Sequence, residues 1–310
     1  MKSSTKKTLI VGGVIIGIAA GGGFGVGFFL AKQLKPDVTV IVGGDAAAYE
    51  ADVDAAYAKY QRAKSSGDFL SALTPDELVN VSYRLFDEHP THYATGVGAT
   101  VANTLGLSVT QRIYSTYVKV DDRFFEESAS VSDMVNIHNR MYEDKTNTVM
   151  YWGKTGDYAT YTPETVTNEE YAELMGSNVS KGLRYIVSEK TCVYAASTAS
   201  GDPSTSASIQ GDKIVVELEL DPATSVLHYV RQMKNISNLM AYPTFDYVHL
   251  TVTMDKALNL ESMSTHEAYT ATLSSGIGSP LEGRIKTVYS SDGNEVIPAV
   301  TDIISYPDEL

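Results

Sequence analysis

Twenty-four consecutive residues, Thr8 to Ala31, carry no charge, and lysines bracket them, Lys6 and Lys7 before and Lys32 and Lys35 after. A hydrocarbon core of roughly 30 Å is spanned by about 20 apolar helical residues, so this run is long enough to cross a bilayer once with some tilt. It predicts a cytoplasmic stub over 1–7, a transmembrane helix over 8–31, a juxtamembrane linker with a stalk helix over 32–67 and an extracytoplasmic domain over 68–310. Within the run Gly13, Gly17, Gly21 and Gly25 recur every fourth residue and align on one small-residue face, a surface for close helix packing. The expected partners of 8–31 are the lipid bilayer and, through that face, a second copy of the helix.

Charge gives the span a direction. The first thirty-six residues hold five Lys and no acid, which leaves 19 basic against all 38 acidic residues in the remainder. This asymmetry predicts the N-terminus in the cytoplasm and the acidic part outside, with no role on nucleic acid. A cleaved signal peptide shares the cationic start, but the apolar stretch continues through Phe24, Phe28, Phe29 and Leu30, and no small-x-small site follows. The reading is a single-pass signal-anchor. Cys192 is the only cysteine, so no intramolecular disulfide can form and the outer domain must be held by its core, as in a bacterial cell-surface protein. About 270 residues suffice for that core.

Periodicity sets the fold class. Tyr49, Val53, Tyr57 and Tyr60 fall three or four apart between Asp45 and Lys64, the stripe of a stalk or packing helix. Thr74, Pro75 and Glu77 form a capping box ahead of Leu78, Val81, Leu85 and Phe86, and Pro90 stops that helix. From Tyr93 to Lys154 the period becomes two, which predicts four or five antiparallel strands, with Arg112, Tyr114, Thr116, Val118 and Val120 on one face and Val109, Ile113 and Tyr117 on the other. Thr167 and Glu170 make a second capping box, with Gly176 as C-cap. Strands are expected over Arg184–Ser188, Thr191–Ala195 and Lys213–Leu220, with an exposed loop over Ser197–Ser208. A long amphipathic helix is expected from Asp221-Pro222 to Pro243. Further strands follow from Tyr247 through Leu273 and over Gly283–Ser290, and the tail from Glu295 is expected at a sheet edge. This is an α+β domain with a curved antiparallel sheet covered on one side by helices.

The segments Val252-Thr253-Met254-Asp255-Lys256, Leu260-Glu261-Ser262-Met263 and Glu267-Ala268-Tyr269-Thr270, within His249 to Ser290, resemble strand pairs of the bacterial LolA/LppX-like half-barrels, the lipoprotein-carrier-like family. That resemblance implies an unclosed sheet wrapped on helices and an apolar ligand or a lipoprotein as partner. It transfers no site residue, because such cavities are recognised by shape. A permanent anchor in place of a lipidated N-terminal Cys implies sensing, scaffolding or handing over a ligand, not shuttling it.

No catalytic residue, metal site or cofactor is predicted. Thr191-Cys192 resembles the Thr-Cys pair of the sortase transpeptidases, but the next Arg after Cys192 is Arg184's distant successor Arg231, too far for a strand-borne partner, and His138 lies 54 residues upstream. His89 and His92 flank Pro90, which prevents them from sharing a helical face as a zinc-binding pair would. P-loop, dinucleotide-binding and Gly-x-Ser-x-Gly signatures are missing. The expected function is a membrane-anchored extracytoplasmic binding module for an apolar ligand or a partner protein. The alternatives are a structural or adhesive surface protein and, weakly, a cysteine transpeptidase.

Overall fold

The computed structural model describes residues 46–302 apart from 105–106, 133–135, 155–156, 176–178, 182–184, 195–204, 227–229, 231–240, 273–277 and 294. The expected span over 8–31, with Gly13, Gly17, Gly21 and Gly25, lies outside the described residues, as do Gly176 and Arg231. Among the described residues no helix is long and apolar enough to cross a membrane.

Eleven strands among the described residues form one antiparallel sheet: β1 (Thr91–Thr104), β2 (Leu107–Val120), β3 (Arg123–Val131), β4 (Asn136–Glu143), β5 (Asn147–Lys154), β6 (Asp157–Thr167), β7 (Ser206–Gln210), β8 (Lys213–Leu220), β9 (Thr244–Asp255), β10 (Leu260–Thr272) and β11 (Gly278–Ser290). The order is β6-β5-β4-β3-β2-β1-β11-β10-β9-β8-β7. Two meanders therefore meet where β1 pairs with β11, from Tyr93 opposite Ser290 to Ala102 opposite Leu281. Gly98 sits at that seam, and a Cβ there would lie 2.2 Å from the Arg284 carbonyl oxygen, so glycine lets the two backbones close up.

The period-two pattern places its side chains as read. Ile214, Val216, Leu218 and Leu220 of β8 and Val248, Leu250, Val252 and Met254 of β9 are all buried. They share a core with helix α3 (Pro75–Glu88), which follows α1 (Ala46–Ala63) and the short α2 (Phe69–Ala72). In α3 the Glu77 carboxylate accepts the Thr74 N–H at 3.0 Å, and Leu78, Val81 and Phe86 are buried. Helix α1 docks on α3: the Tyr49 hydroxyl donates to Asn80 and that of Tyr57 to Glu88, each at 3.0 Å, and the Arg84 guanidinium lies 4.2 Å from the Tyr57 ring centre. Of stalk and packing helix, α1 is the latter.

A second, smaller core lies under helix α4 (Asn168–Met175). Its capping box is reciprocal, with the Thr167 N–H donating to Glu170 at 2.9 Å and the Glu170 N–H to Thr167 Oγ1 at 3.1 Å. Tyr171 packs there with Met141, Met150, Val166 and Val179, and Tyr117 touches both cores, which places α3 and α4 on the same side of the sheet.

Several expectations are corrected. Residues 185–187 have no regular structure, and Cys192 makes only an isolated bridge to Leu220 in place of a strand. The reason is local: Thr191 Oγ1 donates to the Ile186 carbonyl and accepts the Ser188 N–H at 2.9 Å, which ties the chain into a turn. The loop expected through Ser208 gives way at Ser206 to β7, paired with β8 through a turn in which Gly211 has φ 66°. Strand β11 begins at Gly278, five residues before the expected Gly283, and β6 lies beyond the strands expected up to Lys154. Of the long helix expected from Asp221 to Pro243, the described parts are the four-residue α5 (Pro222–Ser225) and the Val230 N–H to Val226 carbonyl bond, and most of the rest lies outside the described residues. Over its described residues, 295–302, the tail is no edge strand. It crosses the outer surface of β3 and β4, where Arg140 donates to the carbonyls of Ala299 at 2.9 Å, Val300 at 2.6 Å and Asp302.

Candidate functional site

Along β9, alternation turns Val248, Leu250 and Val252 toward the helices and His249 and Thr251 away from them. Register then carries this outward set across five strands. One row runs His249, His266, Arg284, Ala99, Arg112, and the next runs Thr251, Ser264, Lys286, Val97, Tyr114. Together they line a trough of about 760 Å³ on the face turned away from the helices.

Its geometry follows from the pairing. Arg284 and Lys286 stand two apart on β11, Arg112 and Tyr114 two apart on β2, and β1 lies between, so the two polar pairs stand roughly 10 Å apart at the backbone. Between them the floor is aliphatic, formed by Val97 and Ala99. At one end the His266 Nε2 faces the Glu282 carboxylate and the Tyr247 hydroxyl, each at 2.8 Å. Arg284 donates to the same carboxylate at 3.0 Å, and His266 and Arg284 together hold the Glu282 carboxyl below the usual carboxylate range.

A second polar cluster lies on β3 and β4. Glu127 and Arg140 are fully buried and His138 nearly so, and Glu127 Oε1 accepts from Arg140 Nε and Nη2, each at 3.2 Å, and contacts His138 Nε2. The tail caps the Arg140 guanidinium of this trio with its carbonyls. On the opposite face of the same strands Glu126 and Glu143 are buried, and Glu143 accepts the Ser180 N–H at 3.2 Å. Burial, and then the Glu143 charge, push the Glu126 carboxyl up to about 8. The buried Glu127–Arg140 pair ties the tail to the sheet, a structural arrangement.

The residues tested in sequence for chemistry do not converge. Cys192 is buried against β8, and burial, followed by the nearby Asp76 charge, pushes its thiol up to about 12, so it is protonated at neutral pH. His138 belongs to β4, and six strands lie between β4 and β8 in the sheet order. His89 caps the end of α3, while His92 enters β1 and packs at a tilt against Phe86 with ring centres 4.0 Å apart. Among the described residues no group of three or more His, Cys, Asp or Glu is arranged to hold a metal ion. Arg112-x-Tyr114 and Arg284-x-Lys286 each place two polar groups on one outward face of a strand, and of the two pairs only the first has its shared face among the sequence expectations, with no site assigned to it.

No protein-family model matches the chain, and no curated protein matches it in sequence. Among solved structures it is similar to a DUF1329 family protein from Desulfovibrio piger, at 9% identity over 72% of this chain and 93% of the other, with a TM-score of 0.27. It is similar too to Rv2717c from M. tuberculosis, at 8% identity over 66% of this chain and 94% of the other, with a TM-score of 0.18. A third similar structure is an outer membrane lipoprotein-sorting protein domain from Vibrio parahaemolyticus, at 10% identity over 71% of this chain and 93% of the other, with a TM-score of 0.27.

Proposed function

We propose that this chain is a membrane-anchored extracytoplasmic binding module, carried by the helix at 8–31, that takes its ligand into the trough between β2 and β9. The carrying observation is the trough itself: about 760 Å³ on the uncovered face, with an aliphatic floor at Val97 and Ala99 between two polar walls. Ligand sites generally fall between 300 and 1,000 Å³ and combine apolar surface with a few placed polar groups. The charge asymmetry of the sequence supports the outward placement of the domain.

The test is direct. Full-length protein extracted from membranes in mild detergent is denatured, and released small molecules are identified by mass spectrometry, for the wild type and for Ala99→Trp, which fills the floor of the trough. A co-purified compound retained equally by a folded Ala99→Trp protein would sink the trough as its site. Protease applied to intact cells should remove the domain while leaving the span protected, and full protection of residues 68–310 would overturn the orientation.

A further inference from the structure

We infer that the trough recognises a small water-soluble ligand through an anionic group, a phosphate or a carboxylate, held between Arg112 on β2 and Arg284 and Lys286 on β11. This rests on the trough being the binding site. The chain carries a formal charge of −14, yet the residues lining the trough include three permanent cations and two imidazoles and no carboxylate. Cross-strand register sets this out, since His249, His266, Arg284, Ala99 and Arg112 form one row across five neighbouring strands. Ala99 is the only residue without a polar side chain in that row, and it leaves a gap between two guanidinium groups where an anion can be reached from both sides. Guanidinium groups present several donors in a plane and bind carboxylate and phosphate with directed, charge-assisted bonds. Tyr114 and Ser264 in the next row add hydroxyl donors.

The charges around the trough select the size of the anion. Glu282 lies beside Arg284, and Glu217 and Glu219 lie on β8 opposite Thr251 and His249. Such carboxylates repel a broad anionic surface such as a bilayer of acidic lipids, while a ligand small enough to sit between β2 and β11 meets mainly the cations.

The experiment titrates full-length protein in neutral detergent with inorganic pyrophosphate by calorimetry at low salt. Saturable binding is expected, weakened at least about tenfold in Arg112→Gln/Lys286→Gln and retained in Arg112→Lys/Lys286→Arg, which keeps both charges. Lys145→Gln, at an exposed lysine paired with Asp122 at 2.9 Å away from the trough, should bind as the wild type does. Raising sodium chloride to about 0.5 M should weaken the wild-type interaction. Equal weakening in Lys145→Gln, or no saturable binding to pyrophosphate, overturns the inference, as does binding confined to phosphatidylglycerol vesicles. If pyrophosphate fails while Ala99→Trp still displaces a co-purified neutral compound, the trough remains the site and the anion falls.

Discussion

The two meanders of this sheet are built alike and held together differently. Strands β8 and β9 turn eight aliphatic side chains toward the helices, so that half is held by apolar burial on one face and leaves the other for the trough. Strands β3 and β4 are buried on both faces, a situation that ordinarily gives near-continuous hydrophobic strands. Here their inner face carries Glu126, Ser128, Asn139 and Glu143, and their outer face carries Glu127, His138 and Arg140 under the tail. The lesson is that one face of a sheet can be closed by a polypeptide strap and buried ions at β3 and β4 while the neighbouring strands from β2 to β9 leave the same face open as a trough.

That contrast can be broken by substitution. The largest effect is expected from Arg140→Ala, which leaves the Glu127 carboxylate buried without its partner and frees the tail carbonyls; it should cost about 3–5 kcal/mol in chemical denaturation. A loss below about 1 kcal/mol would show that the strap is not cohesive. Leu250→Ala opens a hole in the aliphatic half and should cost about 2–5 kcal/mol without changing the protease sensitivity of the tail. Gly98→Ala forces a methyl against the Arg284 carbonyl at the seam between the halves, and a loss of about 1–3 kcal/mol is expected from the melting midpoint. Glu126→Gln acts in the other direction. Because the folded protein holds the Glu126 proton up to about pH 8 while an unfolded chain releases it near the ordinary glutamate value, wild-type stability falls as pH rises between those values. The glutamine variant lacks that slope, up to about 1.4 kcal/mol per pH unit, and a wild-type urea midpoint that stays level across this window would refute the shift.

Legibility in the sequence followed the range of the interactions. The capping boxes at Thr74 and Thr167, the alternation of β8, β9 and β10 and the two faces of β2 all depend on neighbours within a few residues, and the structure places them as read. The stretch Arg184 to Ala195 misled because Thr191 bonds its own turn in preference to a ladder. In β3, Phe124-Phe125-Glu126-Glu127 gave no sign of double burial, since the covering Ala299, Val300 and Asp302 lie about 170 positions further along the chain.

Sequence by itself determined the charge-free run at 8–31 with its basic flanks, the alternation of strands and helices and the lack of a catalytic signature, because hydropathy and periodicity are local properties of a chain. Only the tertiary structure decided that β1 pairs with β11. That single long-range ladder joins the two meanders, brings Arg112 of one to face Arg284 and Lys286 of the other across Ala99, and so creates a cationic trough in an acidic protein. Register between strands nearly two hundred residues apart is set by the closure of the whole sheet, at a glycine where two backbones meet, and no local pattern encodes it.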